Sequence, residues 1–248
     1  MIIVILPTYN EERAILPLLE HFSKVFESHF PKYRLIVVND GSSDNTAVVT
    51  TSYRDIQVEL IEHEKNRGLG EAIKTGLLYV IKDTSDDDII VLMDSDNTHS
   101  PGLISRMVTF IEEGNDVVIA SRYVPGSKVV GLSFARQMCS LGASLLFRIL
   151  LPIPGVRDYT CSYRAYRAGI LKKALERYGN EFVSLSGFSS IVDILLKLEK
   201  LNAIITEVPL ILRYDLKPGK SKMNVRKTIL EMISLVFNHW FKLYCRGE

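Results

Sequence analysis

The run Ile89-Ile90-Val91-Leu92 carries no charge, and Asp94-Ser95-Asp96 follows it almost at once. A continuous apolar run of this kind reads as a strand buried on both faces, the environment of a parallel sheet covered by helices. In such a sheet, ligands collect just beyond the carboxyl ends of the strands. Two carboxylates one residue apart at that place repel each other and are costly to desolvate unless a cation joins them. Asp-Ser-Asp taken alone is more readily a solvated turn, so its meaning depends on what the chain brings beside it.

Upstream, the same pattern recurs. A buried strand is expected at 2–6, ended by Pro7-Thr8-Tyr9-Asn10, and Glu11-Glu12 open a helix whose apolar residues keep helical spacing. A second strand at 35–38 stops at Asn39-Asp40-Gly41-Ser42-Ser43-Asp44-Asn45-Thr46, a cluster of turn and capping residues. Further expectations are a helix to about 53, a strand at 58–61, a helix at 71–82, a helix after Pro101 and a strand at 117–120. Strand and helix alternate at βαβ spacing, so the first half reads as a doubly wound, mostly parallel α/β sheet. After Tyr123 the rhythm changes to a long, lightly charged apolar stretch at 129–156, a return to the sheet within 158–167, helices at 170–178 and 188–201, one strand at 204–212 and a helical tail at 225–244. The reading is one domain over 1–224 with an amphipathic helix over 225–248.

Composition narrows the classes. With 248 residues there is ample core, and 47% hydrophobic residues is high enough to expect apolar surface facing something other than water. A net charge of +1 speaks against nucleic acid as a partner. Cys139, Cys161 and Cys245 are odd in number and lack metal-ligand spacing, which fits a reducing compartment and no zinc. The opening apolar run is too short for a secretory signal, and no stretch approaches the ~20 apolar residues of a spanning helix.

Three polar turns, Pro7-Thr8-Tyr9-Asn10-Glu11, Asn39-Asp40-Gly41-Ser42-Ser43-Asp44 and Asp94-Ser95-Asp96, each follow a buried strand and so should share one rim. Hard carboxylate oxygens there suit Mg²⁺ or Mn²⁺, ions that usually share their shell with phosphate oxygens. With Asn66-Arg67-Gly68-Leu69-Gly70-Glu71-Ala72 added, the set resembles family 2 glycosyltransferases of the GT-A nucleotide-diphospho-sugar fold. Over residues 1 to about 225 it is most similar to the dolichyl-phosphate mannose synthases and other polyprenyl-phosphate hexosyltransferases. That likeness rests on Ala120-Ser121-Arg122-Tyr123, the Arg136-to-Arg148 segment, the motif from Asp158 to Tyr166, Glu207-Val208-Pro209 and Gly219-Lys220-Ser221-Lys222.

The resemblance implies that Pro7, Tyr9, Glu11, Asp40 and Ser95 bind the nucleotide and that Asp94 and Asp96 hold the divalent ion. Asp96 and Arg122 are then the catalytic pair, and Arg122, Arg136, Ser140, Arg213 and Lys222 face the acceptor phosphate. Similar synthases carry Gln two places after the second Asp as a further metal-side ligand, where this chain has Thr98. The implied reaction moves a hexose, mannose from GDP-mannose or glucose from UDP-glucose, to a dolichyl or other polyprenyl phosphate with inversion. It implies a peripheral protein on the cytoplasmic side of a membrane, and leaves open a separate membrane-anchor subunit.

The acceptor class has its own chemistry. A sugar hydroxyl would need a positioned base to take its proton. A phosphate monoester, with its second pKa near ~6, is already an anion and needs cations, preferably Arg. Asp193 is the one later carboxylate at a base-like position, and it reads equally as the polar face of its helix. The 132–152 stretch is either a core helix pair or an in-plane element on a bilayer, the second fitting a lipid-linked acceptor. His63, His99 and His239 show no partner in the sequence and read as non-catalytic. Neither the Q-x-x-R-W motif of processive family members nor a Gly-rich turn after the first strand occurs, which argues against polysaccharide elongation, nucleotidyl transfer and dehydrogenase chemistry.

Overall fold

The computed structural model describes residues 1–30 and 32–219, with 231, 234 and 236. In order, the elements are β1 (Ile2–Thr8), α1 (Glu12–His29), β2 (Tyr33–Asn39), α2 (Thr46–Ser52), β3 (Val58–Glu62), α3 (Leu69–Val80), β4 (Ile89–Leu92), α4 (Leu103–Glu112) and β5 (Val117–Ser121). Then come β6 (Lys128–Val130), α5 (Phe134–Leu150), β7 (Arg164–Arg167), α6 (Ala168–Tyr178), α7 (Ser189–Glu199), β8 (Ile205–Pro209) and β9 (Ile211–Arg213).

Seven strands form the main sheet in the order β3-β2-β1-β4-β7-β5-β8. Pairing is parallel except at β7, which runs antiparallel to both β4 and β5. The chain is therefore an α/β protein built on a mostly parallel sheet, as the alternation of apolar runs requires. Ile3, Val4, Ile5, Leu35, Ile36, Val37, Ile90, Val91, Val118 and Ile119 are all fully buried. Burying each such side chain contributes about 1.5–3 kcal/mol, which explains why the middle of these strands carries no polar residue on either face. Helix α3 lies close on the sheet because Gly76 leaves room: a Cβ there would sit 2.5 Å from the Ile5 side chain.

Two expectations need correction. The single strand at 204–212 is two strands in different sheets, since β8 joins β5 while β9 pairs with β6 in a separate two-stranded ribbon. Pro7 does not end the first strand, which continues to Thr8; β1 and β4 pair only as far as Ile5 and Leu92, so the missing N–H of Pro7 interrupts no bond to β4.

Strand β7, inserted between β4 and β5, anchors a loop beside their carboxyl ends. Arg164 on this strand is fully buried, and its guanidinium donates to the carbonyls of Cys161 (2.8 Å), Tyr159 (2.7 Å) and Ile191 (2.8 Å). A buried charge satisfied by three carbonyls pins the 158–162 loop in front of β4 and β5. No described helix is long and apolar enough to cross a membrane. The tail at 225–248 lies outside the described residues apart from 231, 234 and 236, as does Lys222.

Candidate active site

The carboxyl ends of β1, β2 and β4 open on one cleft, lined by Pro7, Thr8, Tyr9, Glu11, Asp40, Asn66, Leu69, Ala72, Asp94, Ser95, Asp96, Phe188 and Lys217. The register explains the gathering. Pro7 pairs with Val38 and Ile5 with Leu92, so the three turns leave the sheet at one level. Ser95 Oγ donates to the Pro7 carbonyl at 3.0 Å, tying the first turn to the third.

Asp40 is 3% exposed and its carboxylate is heavily engaged. Oδ1 accepts the Arg67 amide at 2.9 Å and lies 2.7 Å from His63 Nδ1, and Oδ2 accepts the Gly68 amide at 2.7 Å. His63 Nε2 in turn lies 2.9 Å from Thr75 Oγ1. His63 is thus a partner of Asp40, correcting its reading as unpaired. A signal was present in the sequence, since His63 follows β3 as Asp40 follows β2. Gly41 permits the arrangement: its φ is +65°, and a Cβ there would come within 2.3 Å of the Lys65 backbone. Only glycine lets the 65–68 loop approach Asp40 so closely.

Asp94 and Asp96 stand at the floor of the cleft. Asp94 Oδ1 accepts the Ser162 hydroxyl at 2.6 Å. Burial pushes the Asp94 carboxyl above its ordinary pKa, and the neighbouring Asp96 charge adds to the rise. Asp96 is desolvated too, yet the Lys217 ammonium at 2.5 Å outweighs this and holds its pKa below the usual range. Thr98 donates to Asp96 Oδ1 through its hydroxyl (2.6 Å) and its amide (3.1 Å). Its hydroxyl therefore orients Asp96.

The donor set fits Mg²⁺ or Mn²⁺. It consists of hard carboxylate oxygens, and Lys217 already demonstrates that the place is built to balance positive charge. No third His, Cys, Asp or Glu joins them among the described residues. One or two carboxylates completed by substrate phosphates is the usual way Mg²⁺ is held.

The expected acceptor residues behave differently. Arg122 forks onto Asp158, with Nε–Oδ2 at 2.8 Å and Nη2–Oδ1 at 2.7 Å, and also donates to Thr160 Oγ1 (2.7 Å) and Ser140 Oγ (3.1 Å). Burial would lower the Arg122 pKa, but Asp158 outweighs it and the guanidinium is held above its ordinary value. Asp158, fully buried, is held below its own in spite of that burial. Four of the five N–H donors of Arg122 are occupied within the protein, so the arginine expected to face the acceptor phosphate is tethered, with one donor left over. Arg213 forks onto Asp215 at 2.8 and 2.9 Å, so it too is already paired. Ser140 lies on α5, 2.7 Å from the Tyr123 hydroxyl. Arg136, also on α5, is exposed and makes no ion pair among the described residues.

The 158–162 loop connects the two sets: Asp158 grips Arg122 and Ser162, four residues on, holds Asp94. Neither Asp158 nor Ser162 was legible as a site residue beyond its motif. Lys217 had no signal at all in a segment where Arg213, Lys220 and Lys222 look equally suited. Asp193 is bound to Lys197 at 2.6 Å and to Ser184 at 3.0 Å.

Helix α5 carries one further feature. Phe134, Met138, Leu141, Leu145 and Ile149 follow helical spacing and are 47–77% exposed, while Phe147 on the opposite side is buried against the Tyr159 ring.

Residues 3–175 match the model of glycosyl transferase family 2. The polyprenol monophosphomannose synthase of Mycolicibacterium smegmatis is 30% identical over 93% of this chain and 84% of its own length. The dolichol-phosphate mannosyltransferase of Pyrococcus furiosus is 31% identical over 94% of this chain and 62% of its own. Among solved structures, glucosyl-3-phosphoglycerate synthase from Mycobacterium tuberculosis, in complex with Mn²⁺, UDP-glucose and phosphoglyceric acid, superposes with a TM-score of 0.64. That match covers 95% of this chain and 79% of the other at 22% identity, a likeness of fold.

Proposed function

Because the chain belongs to glycosyl transferase family 2 and is a glycosyltransferase, we propose that it transfers mannose from GDP-mannose to a polyprenyl phosphate, with inversion and with Mg²⁺ or Mn²⁺ at Asp94 and Asp96. The observation that carries the acceptor half of this reading is on α5, where an exposed apolar stripe and the exposed cations Arg136 and Arg148 share one helix. An apolar face with basic residues beside it suits a helix lying in a bilayer interface, where the phosphate of a lipid acceptor resides. The names of the two relatives, which cover most of this chain, support the same acceptor class.

In this reading Pro7, Tyr9, Glu11 and Asp40 form the nucleotide wall of the cleft, and Ser95 fixes the turn between the two acids. Asp40 supports that wall by holding the Arg67 and Gly68 amides. A divalent ion bound at Asp94 and Asp96 would offset charge developing on the leaving diphosphate. The acceptor phosphate, steered by Arg136 with Ser140 and the remaining donor of Arg122, attacks the anomeric carbon as an anion. A bond forms from phosphate oxygen to that carbon, the bond to the diphosphate oxygen breaks, and the nucleoside diphosphate departs with the electron pair. No general base is called for, which agrees with the engagement of Asp193 by Lys197. Seated this way, the enzyme works as a peripheral protein on the cytoplasmic face.

A panel of radiolabelled GDP- and UDP-sugars with polyprenyl phosphate tests the proposal. Label from GDP-mannose is expected in the organic phase with Mg²⁺ or Mn²⁺ present, and none with a chelator. Transfer from UDP-glucose instead would replace the donor, and label appearing only in a water-soluble product would remove the lipid acceptor.

A further inference from the structure

Lys217 stands on the acid that the proposed function assigns to a divalent ion. Its ammonium lies 2.5 Å from Asp96 Oδ2, with the two side chains only 10% and 14% exposed. It lines the same cleft as Pro7, Tyr9, Glu11 and Asp40, so it faces the space where a donor would lie. An ammonium and a divalent ion on one carboxylate would stand in mutual contact with little water between them, and their repulsion in so desolvated a place is large. The charges also need balancing. Asp94, Asp96 and a divalent ion sum to zero, whereas each phosphate of a diphosphate-linked donor brings a further negative charge. Lysine suits such a change of partner, being a point charge on a flexible four-carbon stem.

We infer that Lys217 is the resident counter-ion of Asp96 in the free enzyme, gives up that carboxylate when a divalent ion enters, and transfers its ammonium to the phosphates of the donor. Lys217 and the ion are then antagonists at Asp96, while Lys217 and the nucleotide are allies. The same side chain that weakens metal binding to the empty cleft strengthens diphosphate binding to the loaded one. Entry of the ion alone is thereby disfavoured, and ion with nucleotide is favoured. This inference rests on the metal site of the proposed function.

The test is Mn²⁺ binding to the full chain followed by electron paramagnetic resonance, without nucleotide and then with GDP or UDP. Lys217→Met is expected to bind Mn²⁺ alone about tenfold more tightly than wild type, within the usual 5–150-fold range of coupling between sites. The same variant should bind the nucleoside diphosphate about tenfold more weakly at saturating Mn²⁺. Lys217→Arg, which keeps the charge and guards against a folding defect, should stay close to wild type in both. Opposite signs in the two measurements for Lys217→Met support the exchange, since a merely structural lysine would shift both in one direction. Unchanged or weaker Mn²⁺ binding by Lys217→Met overturns it while leaving the metal site standing. No Mn²⁺ binding by any variant, with or without nucleotide, removes both.

Discussion

The two sides of this site are held by opposite means. On the proposed donor side, the ends of three neighbouring strands bring Pro7, Asp40, Asp94 and Asp96 together, and each comes from a turn directly after an apolar run. On the proposed acceptor side, Arg122 is held by Asp158, Thr160 and Ser140, residues 18 to 38 places away that belong to no common strand edge. The first arrangement crowds carboxylates together, with Lys217 on Asp96 and no cation on Asp94 among the described residues. The second ties up an arginine that its motif alone presents as free. Charged residues of family motifs are therefore crowded together on one side of the cleft and committed mostly to protein partners on the other.

The sharpest way to break this contrast is at Asp96. Asp96→Ala should lower kcat by about 10³-fold or more, the scale of losing one electrostatic contributor worth roughly 4 kcal/mol. Near-normal turnover in a transfer assay would show that the donor-side acids have no chemical role. Next comes Asp158→Ala, expected to destabilise the fold by about 3 kcal/mol because Arg122, 17% exposed, loses its only carboxylate partner among the described residues. Denaturant unfolding measures it, and a loss below about 1 kcal/mol would mean the pair is not structural. The pH dependence has a definite sign. With its folded pKa depressed, Asp158 contributes stability present above its unfolded value near ~3.9, lost as pH falls through the folded one.

A smaller effect is expected at Arg136, the exposed cation of α5. Arg136→Ala should raise KM for polyprenyl phosphate about tenfold, some 1.4 kcal/mol, and leave KM for the sugar nucleotide unchanged. An equal rise in both would deny the helix a special relation to the acceptor. The smallest effect, opposite in sign, concerns Asp94. Its folded pKa is raised, so the ionised form lowers stability at neutral pH and the penalty vanishes as pH falls through that raised value toward the unfolded one. In chelator, Asp94→Asn should melt a few degrees higher than wild type at pH 7 and lose the advantage near pH 4, while losing activity. A lower melting temperature at pH 7 would show that Asp94 is content without a cation.

Much of the rim is legible in the sequence alone. Four-residue apolar runs must be buried on both faces, burial on both faces means a covered parallel sheet, and a parallel sheet sends its turns to one rim. Asp40, Asp94 and Asp96 emerge from that chain of reasoning. The exposed apolar stripe of α5 was half readable, because periodicity identifies a face but not what covers it.

The sequence by itself thus determined the fold class, the rim and the acids on it, since these depend on hydrophobic period and on residues adjacent in the chain. Only the tertiary structure decided which cations are occupied. Arg122 and Arg213 turned out to be forked onto Asp158 and Asp215, and Lys217 came to rest on Asp96 across a separation of 121 residues. Long cationic side chains carry little local signal. Their partners are selected by distance, burial and competing charge after the backbone is in place, which no spacing in the chain encodes.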